Sequence, residues 1–286
     1  MPLVFVPTPL GNLGDITLRA LEELRACELL IAEDTRVARK LLAALQLPGK
    51  ELWSYREQNA AAVTSGILER ARLGRVAVVC DAGMPGISDP GSALVAAARA
   101  AGVALEVLPG PSAALGAAVL SGFDLRRFLF EGFPPRAGSA RRAAFARAAE
   151  SGATSLWYES PQRIHATLAD LATAVPGAAV FLLREYTKRH EEQLLGTPEE
   201  IAAALPPSVR GEIVFVVAAR LAAPSALPPD EGSLDAAVDR LLAAGGSVAA
   251  VAKQLCAQGL GSRNDLYARV LLRKRARGRE QDAAGR

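Results

Sequence analysis

Histidine is nearly missing from this chain: there are two, His165 and His190, in 286 residues. That leaves little room for imidazole chemistry, either as a metal-ligand set or as a Ser-His-Asp relay, and no G-x-S-x-G turn is present to carry a serine nucleophile. Cysteine is scarce as well. Cys27, Cys80 and Cys256 are far apart and odd in number, so they form neither a C-x-x-C pair nor a disulfide framework. Aromatic residues make up only 5% of the chain, so its core must be built from Ala, Leu and Val. No G-x-G-x-x-G and no G-x-x-x-x-G-K-[ST] stands at a strand–helix junction, which argues against the usual dinucleotide fingerprint and the P-loop. No apolar run reaches membrane-spanning length without a charge, Pro or Gly. The opening MPLVFVPTPLGNL has no basic flank and is broken by Pro7 and Pro9, so it reads as a first strand. The expectation is a soluble, cytoplasmic protein with no membrane partner.

What is present is an alternation. Apolar runs of strand length (Leu3–Val6, Glu28–Ala32, Arg75–Cys80, Ala104–Leu108) are separated by segments of helical pattern (Thr17–Ala26, Thr35–Leu45, Ala60–Arg72, Ser92–Ala101, Ser112–Leu120). The rhythm restarts with strands at Arg127–Phe133, Thr154–Tyr158, Val180–Arg184 and Glu212–Ala218. This predicts an α/β fold: a first α/β domain with a mostly parallel sheet over 1–122, a second α/β domain over 123–221, and a proline-containing linker over 222–232. Beyond it, Val248, Val251, Ala252 and Leu255 share one helix face and Leu266, Tyr267, Val270 and Leu271 another, with Gly259 and Gly261 between. That outlines a helical, helix-turn-helix-like module over 233–276, followed by a basic tail over 277–286. Net charge is only +3, but seven Lys or Arg fall between Arg263 and Arg279 against one acid, Asp265. A like-charged run of this kind is a solvated tail or a grip on phosphates.

The polar and Gly/Pro clusters fall just after strands, where open α/β sheets bind ligands. They are PTPLGNLGDIT (7–17), EDTR (33–36), DAGMPGISDPG (81–91) and LPGPSAA (108–114). Glycine lets backbone approach a ligand closely and proline fixes the loop shape. Four such loops in one half-chain predict a cleft for a flat, polar ligand. The carboxylates Glu33, Asp34, Glu159, Glu185 and Glu212 lie at these strand ends, with no spacing that demands a metal.

These four motifs, followed in order by EGFPPR (131–136), WYESPQR (157–163), LLREYTK (182–188) and GEIVFVV (211–217), resemble the tetrapyrrole methylase superfamily, and within it the branch that methylates the ribose 2′-oxygen of a cytidine in small-subunit (16S) ribosomal RNA. The resemblance covers roughly residues 3–218. It implies two α/β domains with S-adenosylmethionine (AdoMet) in the cleft between them, no metal, no DNA, 16S rRNA of the small ribosomal subunit as partner, and a homodimer. It assigns the AdoMet site to Pro9, Leu10 and Gly11, to Gly83, Met84, Pro85 and Ile87, to Ser112 and Ala113, and to Tyr158 and Leu183. Two positions depart from the family pattern. YREQN (55–59) has Arg56 and Gln58 where histidines are usual, and Met84 replaces a threonine.

A general base should therefore be a carboxylate or lysine. Among Asp34, Glu57, Glu185 and Glu212 the reading favours Asp34 or Glu185, with Lys188 stabilising a developing alkoxide. Arg36, Arg141, Arg142, Arg263, Arg273, Lys274 and Arg275 are the candidate RNA contacts. Structural ion pairs at strand ends are the alternative for Asp34–Arg36 and Glu185–Lys188. A methyltransferase for small tetrapyrroles and a catalytically inactive RNA-binding assembly protein are the alternatives for the whole chain.

Overall fold

A computed structural model of the chain describes residues 2–219, 231–243, 246–257 and 266–274. Met1–Ala219 form one compact unit and Arg220–Arg286 a second.

The first half of the larger unit is built on a five-stranded sheet of β1 (Leu3–Phe5), β2 (Leu29–Ala32), β3 (Glu51–Ser54), β4 (Val76–Val79) and β5 (Leu105–Val107). The order is β3-β2-β4-β1-β5 and every pairing is parallel. β1, β2 and β4 are buried along their whole length. A parallel sheet covered on both faces needs such unbroken apolar runs. One face packs Phe5, Ile31 and Val78 with Ile67 and Leu94. The other packs Val4, Val6 and Leu30 with Leu24 and Leu42. The covering helices are α1 (Leu18–Ala26), α2 (Thr35–Ala44), α3 (Ala60–Leu73) and α4 (Gly91–Ala100). Thr17 caps α1 and Asp34 caps α2, each accepting a hydrogen bond from an otherwise orphaned backbone N–H.

α5 (Ala113–Ser121) ends at Gly122, whose φ of +67° suits a glycine cap. The helix precedes the boundary read from the sequence, yet its small face (Ala114, Ala117, Ala118) packs on Leu156, Phe181, Leu183 and Val214 of the second sheet. The second half supplies β6 (Phe128–Gly132), α6 (Gly138–Glu150), β7 (Thr154–Glu159), α7 (Ile164–Ala174), β8 (Val180–Arg184), β9 (Glu192–Gly196), α8 (Pro198–Ala204) and β10 (Ile213–Val217). The strand order is β6-β7-β10-β8-β9. This sheet differs from the first in strand direction. Only β6–β7 is parallel; β10 runs antiparallel to β7 and β8, and β9 antiparallel to β8. Residues 185–191, between β8 and β9, are too few for the crossover that a parallel pair requires. The scarce aromatics are concentrated beneath this sheet. Trp157 stacks on Phe215 at 6.3 Å and meets the edge of Phe145 at 5.0 Å.

In the smaller unit, α9 (Glu231–Ala243), α10 (Val248–Ala257) and a helical segment over 266–274 share a core of Val238, Val251, Leu255, Leu266 and Val270. The sequence reading anticipates the last two helices. Asp235 pairs with Arg269, and Asp239 with Arg273, which ties the first helix to the last. The Gly259–Gly261 turn, most of the 222–232 linker and the 277–286 tail lie outside the described residues. None of the described helices is long and apolar enough to cross a membrane.

Candidate active site

Because β1, β2, β4 and β5 are parallel, the loops that follow them emerge at one edge of the sheet. They are fastened to one another. The Thr8 N–H donates to the Gly83 carbonyl at 2.9 Å, and the Gly83 N–H returns a bond to the Thr8 carbonyl at 3.0 Å. Gly83 has a φ of +79°, and a methyl group there would stand 3.1 Å from the Leu10 side chain. Only glycine accepts that backbone without strain. The Asp89 carboxylate closes the 81–91 loop by accepting from the N–H groups of Gly86 and Gly91, each at 2.8 Å. The Asp34 N–H donates to Asp81 at 3.2 Å, which joins the β2 and β4 loops.

Facing this edge are the ends of β7, β8 and β10. Between them lies a cavity of about 460 Å³, within the size range of small-molecule sites. Of the predicted cofactor residues, Leu10, Gly83, Met84, Ile87, Ser112, Ala113, Tyr158 and Leu183 line it. Pro9, Gly11 and Pro85 do not. Pro9 is buried, Gly11 lies against the Lys188 side chain, and Pro85 borders a small void beneath. Asp81, Asp89 and Tyr186, not expected from the sequence as site residues, also line it, as does Glu33, one of the carboxylates expected at a strand end. The acids Glu33, Asp81, Asp89, Glu159 and Glu212 all border the cavity, and no described Lys or Arg does, although Arg163 stands 3.3 Å from Glu159 behind it. An anionic wall of this kind suits a ligand carrying positive charge. Among the described residues, no group of three or more His, Cys, Asp or Glu is placed to hold a metal ion.

The carboxylates differ in how far they are engaged. Asp34 accepts from the Arg36 side chain at 2.6 Å and from the Arg36 N–H at 2.8 Å, and Arg56 stands 3.7 Å away. The Arg36 hydrogen bonds hold its carboxyl far below the usual carboxylate range. Asp34 is therefore a helix cap in an ion pair and a weak base. Glu185, at φ +52°, accepts from Lys188 at 2.9 Å and from the Glu212 N–H at 3.0 Å. Burial pushes its carboxyl up, but these bonds outweigh it and hold it low. Lys188 also reaches Glu212 at 3.0 Å. Glu159 accepts from the Ser160 N–H at 2.7 Å and from the Thr167 hydroxyl at 2.6 Å. The Glu33 carboxylate accepts no hydrogen bond from any described residue; only its backbone carbonyl does, from Ser54 and Arg56. Burial first, then the neighbouring Asp81 and Asp89, raise its carboxyl above the ordinary range. Burial also pushes the Cys80 thiol up to about 12, which makes it inert as a nucleophile.

The proposed RNA contacts are scattered. Arg36 is 80% exposed. Arg141 is buried against Asp170 at 2.5 Å, which it shares with the more exposed Arg142 at 2.6 Å. In the smaller unit, Arg273 pairs with Asp239 and Lys274 is exposed. Arg263 and Arg275 lie outside the described residues. His165 meets the Pro206 carbonyl at 2.9 Å on the surface of α7.

Residues 2–202 match the family described as Tetrapyrrole (Corrin/Porphyrin) Methylases. The chain is 41% identical over 280 residues to a Mycobacterium tuberculosis protein named Ribosomal RNA small subunit methyltransferase I, covering 96% of each. It is 42% identical over 199 residues to the Thermotoga maritima protein of the same name, covering 69% of this chain and 89% of that one. The solved structure of a diphthine synthase has the same fold, with a TM-score of 0.62 at 17% identity over 76% of this chain and 90% of that one. A match of this extent, joined to the paired sheets and the cavity between them, is decisive: the chain belongs to the tetrapyrrole methylase family.

Proposed function

We propose that this chain transfers a methyl group from AdoMet to the ribose 2′-oxygen of a cytidine in the 16S rRNA of the small ribosomal subunit. The observation that carries the reading is the 41% identity, over nearly the full length of both chains, to relatives named as small-subunit rRNA methyltransferases. The chemistry of the cavity supports it. A sulfonium donor is cationic, and among the described residues the cavity is lined by acids and by no Lys or Arg. Leu10, Gly83, Met84, Ile87, Ser112 and Ala113 would hold the donor from the first sheet's loops, and Tyr158 and Leu183 from the second sheet. When bound, AdoMet supplies a methyl group activated by positive charge on sulfur.

Alignment is the chief task of the residues around it, and positioning contributes up to roughly 7–11 kcal/mol in well-oriented systems. The Thr8–Gly83 bonds and the Asp89 clamp fix the loops that do this. Lys188 and Glu185 act at the rim of the cleft, and Arg36, Arg142 and Lys274 meet RNA phosphates. We further propose a cytoplasmic, metal-independent homodimer. The exposed Leu115 and Val119, one helical turn apart on the outer face of α5, support the dimer. The test is to incubate small subunits from cells lacking the activity with labelled AdoMet and map the label. A labelled cytidine ribose is expected; label on a base would refute 2′-O transfer, and an unlabelled subunit would refute the reading.

A further inference from the structure

A second cavity, of about 950 Å³, adjoins the first. Its walls are mixed, with polar groups from Arg56, Glu57 and Gln58 in the segment after β3 and from Ser92 at the start of α4, beside Ala60, Pro90 and Ala93. Glu33, Ser88 and Asp89 border both cavities. The two spaces therefore meet at a wall of three polar residues, and Glu33 is the one whose carboxylate accepts no hydrogen bond from a described residue. Asp89 is tied to two backbone N–H groups. Ser88 sits at φ +62° in the same loop. Displacement at a methyl carbon requires the incoming oxygen to approach from the side opposite the departing sulfur. A donor in the first cavity leaves the second as the space from which a nucleophile arrives.

We propose that the second cavity receives the target nucleotide, and that Glu33, on the shared wall, accepts the proton of its ribose hydroxyl. This rests on the rRNA reading above. As the new oxygen–carbon bond forms, the hydroxyl proton passes to a Glu33 carboxylate oxygen. The sulfur–carbon bond breaks with its electron pair left on sulfur, so the cation becomes a neutral thioether. Arg56, half-exposed in the wall of the second cavity, meets the phosphate of the nucleotide. The charged and titratable groups around Glu33 are Asp81, Asp89, Asp34, Cys80 and Arg56. The acids and burial raise its carboxyl and Arg56 opposes them. A base displaced in this direction lies nearer to the operating pH and accepts a proton more effectively.

Two measurements test this. In the first, the AdoMet-free full chain is labelled with ¹³C at its glutamate carboxyls, and the resonance missing from Glu33→Gln identifies Glu33. Titration with cytidine 5′-monophosphate should move that resonance, and Arg56→Ala should weaken the response about tenfold. A resonance that stays still overturns the cavity assignment. In the second, Glu33→Gln should lower kcat by roughly 10²–10⁴-fold and remove the acid limb of its pH profile. KM for small subunits should stay within about threefold, and AdoMet affinity should fall by no more than about tenfold, since Asp81 and Asp89 still line the donor side. A kcat within about threefold of wild type, or lost AdoMet binding, overturns the role of Glu33. If wild type leaves small subunits unlabelled while the nucleotide still moves Glu33, it is the rRNA reading that fails and the cavity that stands.

Discussion

The ring of Tyr186 rests in the notch left by Gly116. A methyl group on Gly116 would stand 2.6 Å from one ring carbon and 2.9 Å from the phenolic oxygen. Gly116 belongs to α5 and Tyr186 lines the cavity, so a helix that packs on the second sheet also sets one wall of the site. Gly116→Ala gains about 1 kcal/mol of helix propensity but incurs about 1–3 kcal/mol of overpacking. Stability should fall by no more than about 2 kcal/mol, as the difference of those two. AdoMet affinity should fall about tenfold as Tyr186 is pushed into the cavity. Thermal melts and calorimetry on one variant separate the two effects.

Gly83→Ala should be worse for binding than for folding. It strains a φ of +79° and presses on Leu10, and it sits where Thr8 fastens the first loop to the third. The backbone cost is about 1–2 kcal/mol, and AdoMet affinity should drop by at least about tenfold. Gly102→Ala is the control. Its φ of +66° carries the same strain, but nothing lies within 4 Å of the added methyl and it borders neither cavity. It should lose stability and leave calorimetric AdoMet binding unchanged.

Asp170 accepts charged hydrogen bonds from Arg141 and Arg142. Burial alone would raise its carboxyl, yet the guanidiniums of Arg142 and Arg141 hold it below the usual range. A depressed carboxylate contributes stability that is complete above the unfolded value of about 3.9 and is lost as pH falls through the lower folded value. Asp170→Asn should cost about 1–3 kcal/mol near neutrality. The gap to wild type should close as pH drops below about 4. Urea melts across that range would show it; a gap independent of pH would contradict the ion-pair account.

Lys274 is exposed, whereas Arg273 and Arg141 are held by acids of their own fold. Lys274→Ala should weaken binding to small subunits and reduce the dependence of log K on log salt by about one. Arg141→Ala should act mainly on stability. Filter binding across a salt series distinguishes these outcomes.

The first sheet was legible because unbroken apolar strands and Gly/Pro loops alternate with helical periodicity. The edges were not. β3 (ELWS) and β9 (EQLLG) carry acids and too few apolar residues to stand out, and strand direction in the second sheet leaves no mark on residue pattern. The proposed base differs from Asp34, one of the two favoured by sequence, by a single position. Glu33 and Asp34 are adjacent, so their side chains leave the chain in different directions, and composition does not say which one faces a cavity. One signal was available. Asp immediately before a helix reads as its cap, and Asp34 caps α2, which leaves Glu33 as the free neighbour. Asp81 and Asp89 stand in the 81–91 motif, but their place at the cavity depends on a loop fold that the bonds from Gly86 and Gly91 to Asp89 define.

The first cavity takes its walls from residues as far apart as Leu10 and Val214. No contiguous half of the chain encloses it, so a nascent polypeptide could not retain a ligand there until β10 has been synthesised and inserted between β7 and β8. A ligand enclosed there would join the loop after β1 to β10 like a staple. At a free concentration of 100 times Kd it adds about 2.7 kcal/mol against unfolding. The metabolite supply of the cell would thus tune the lifetime of the protein as well as its turnover.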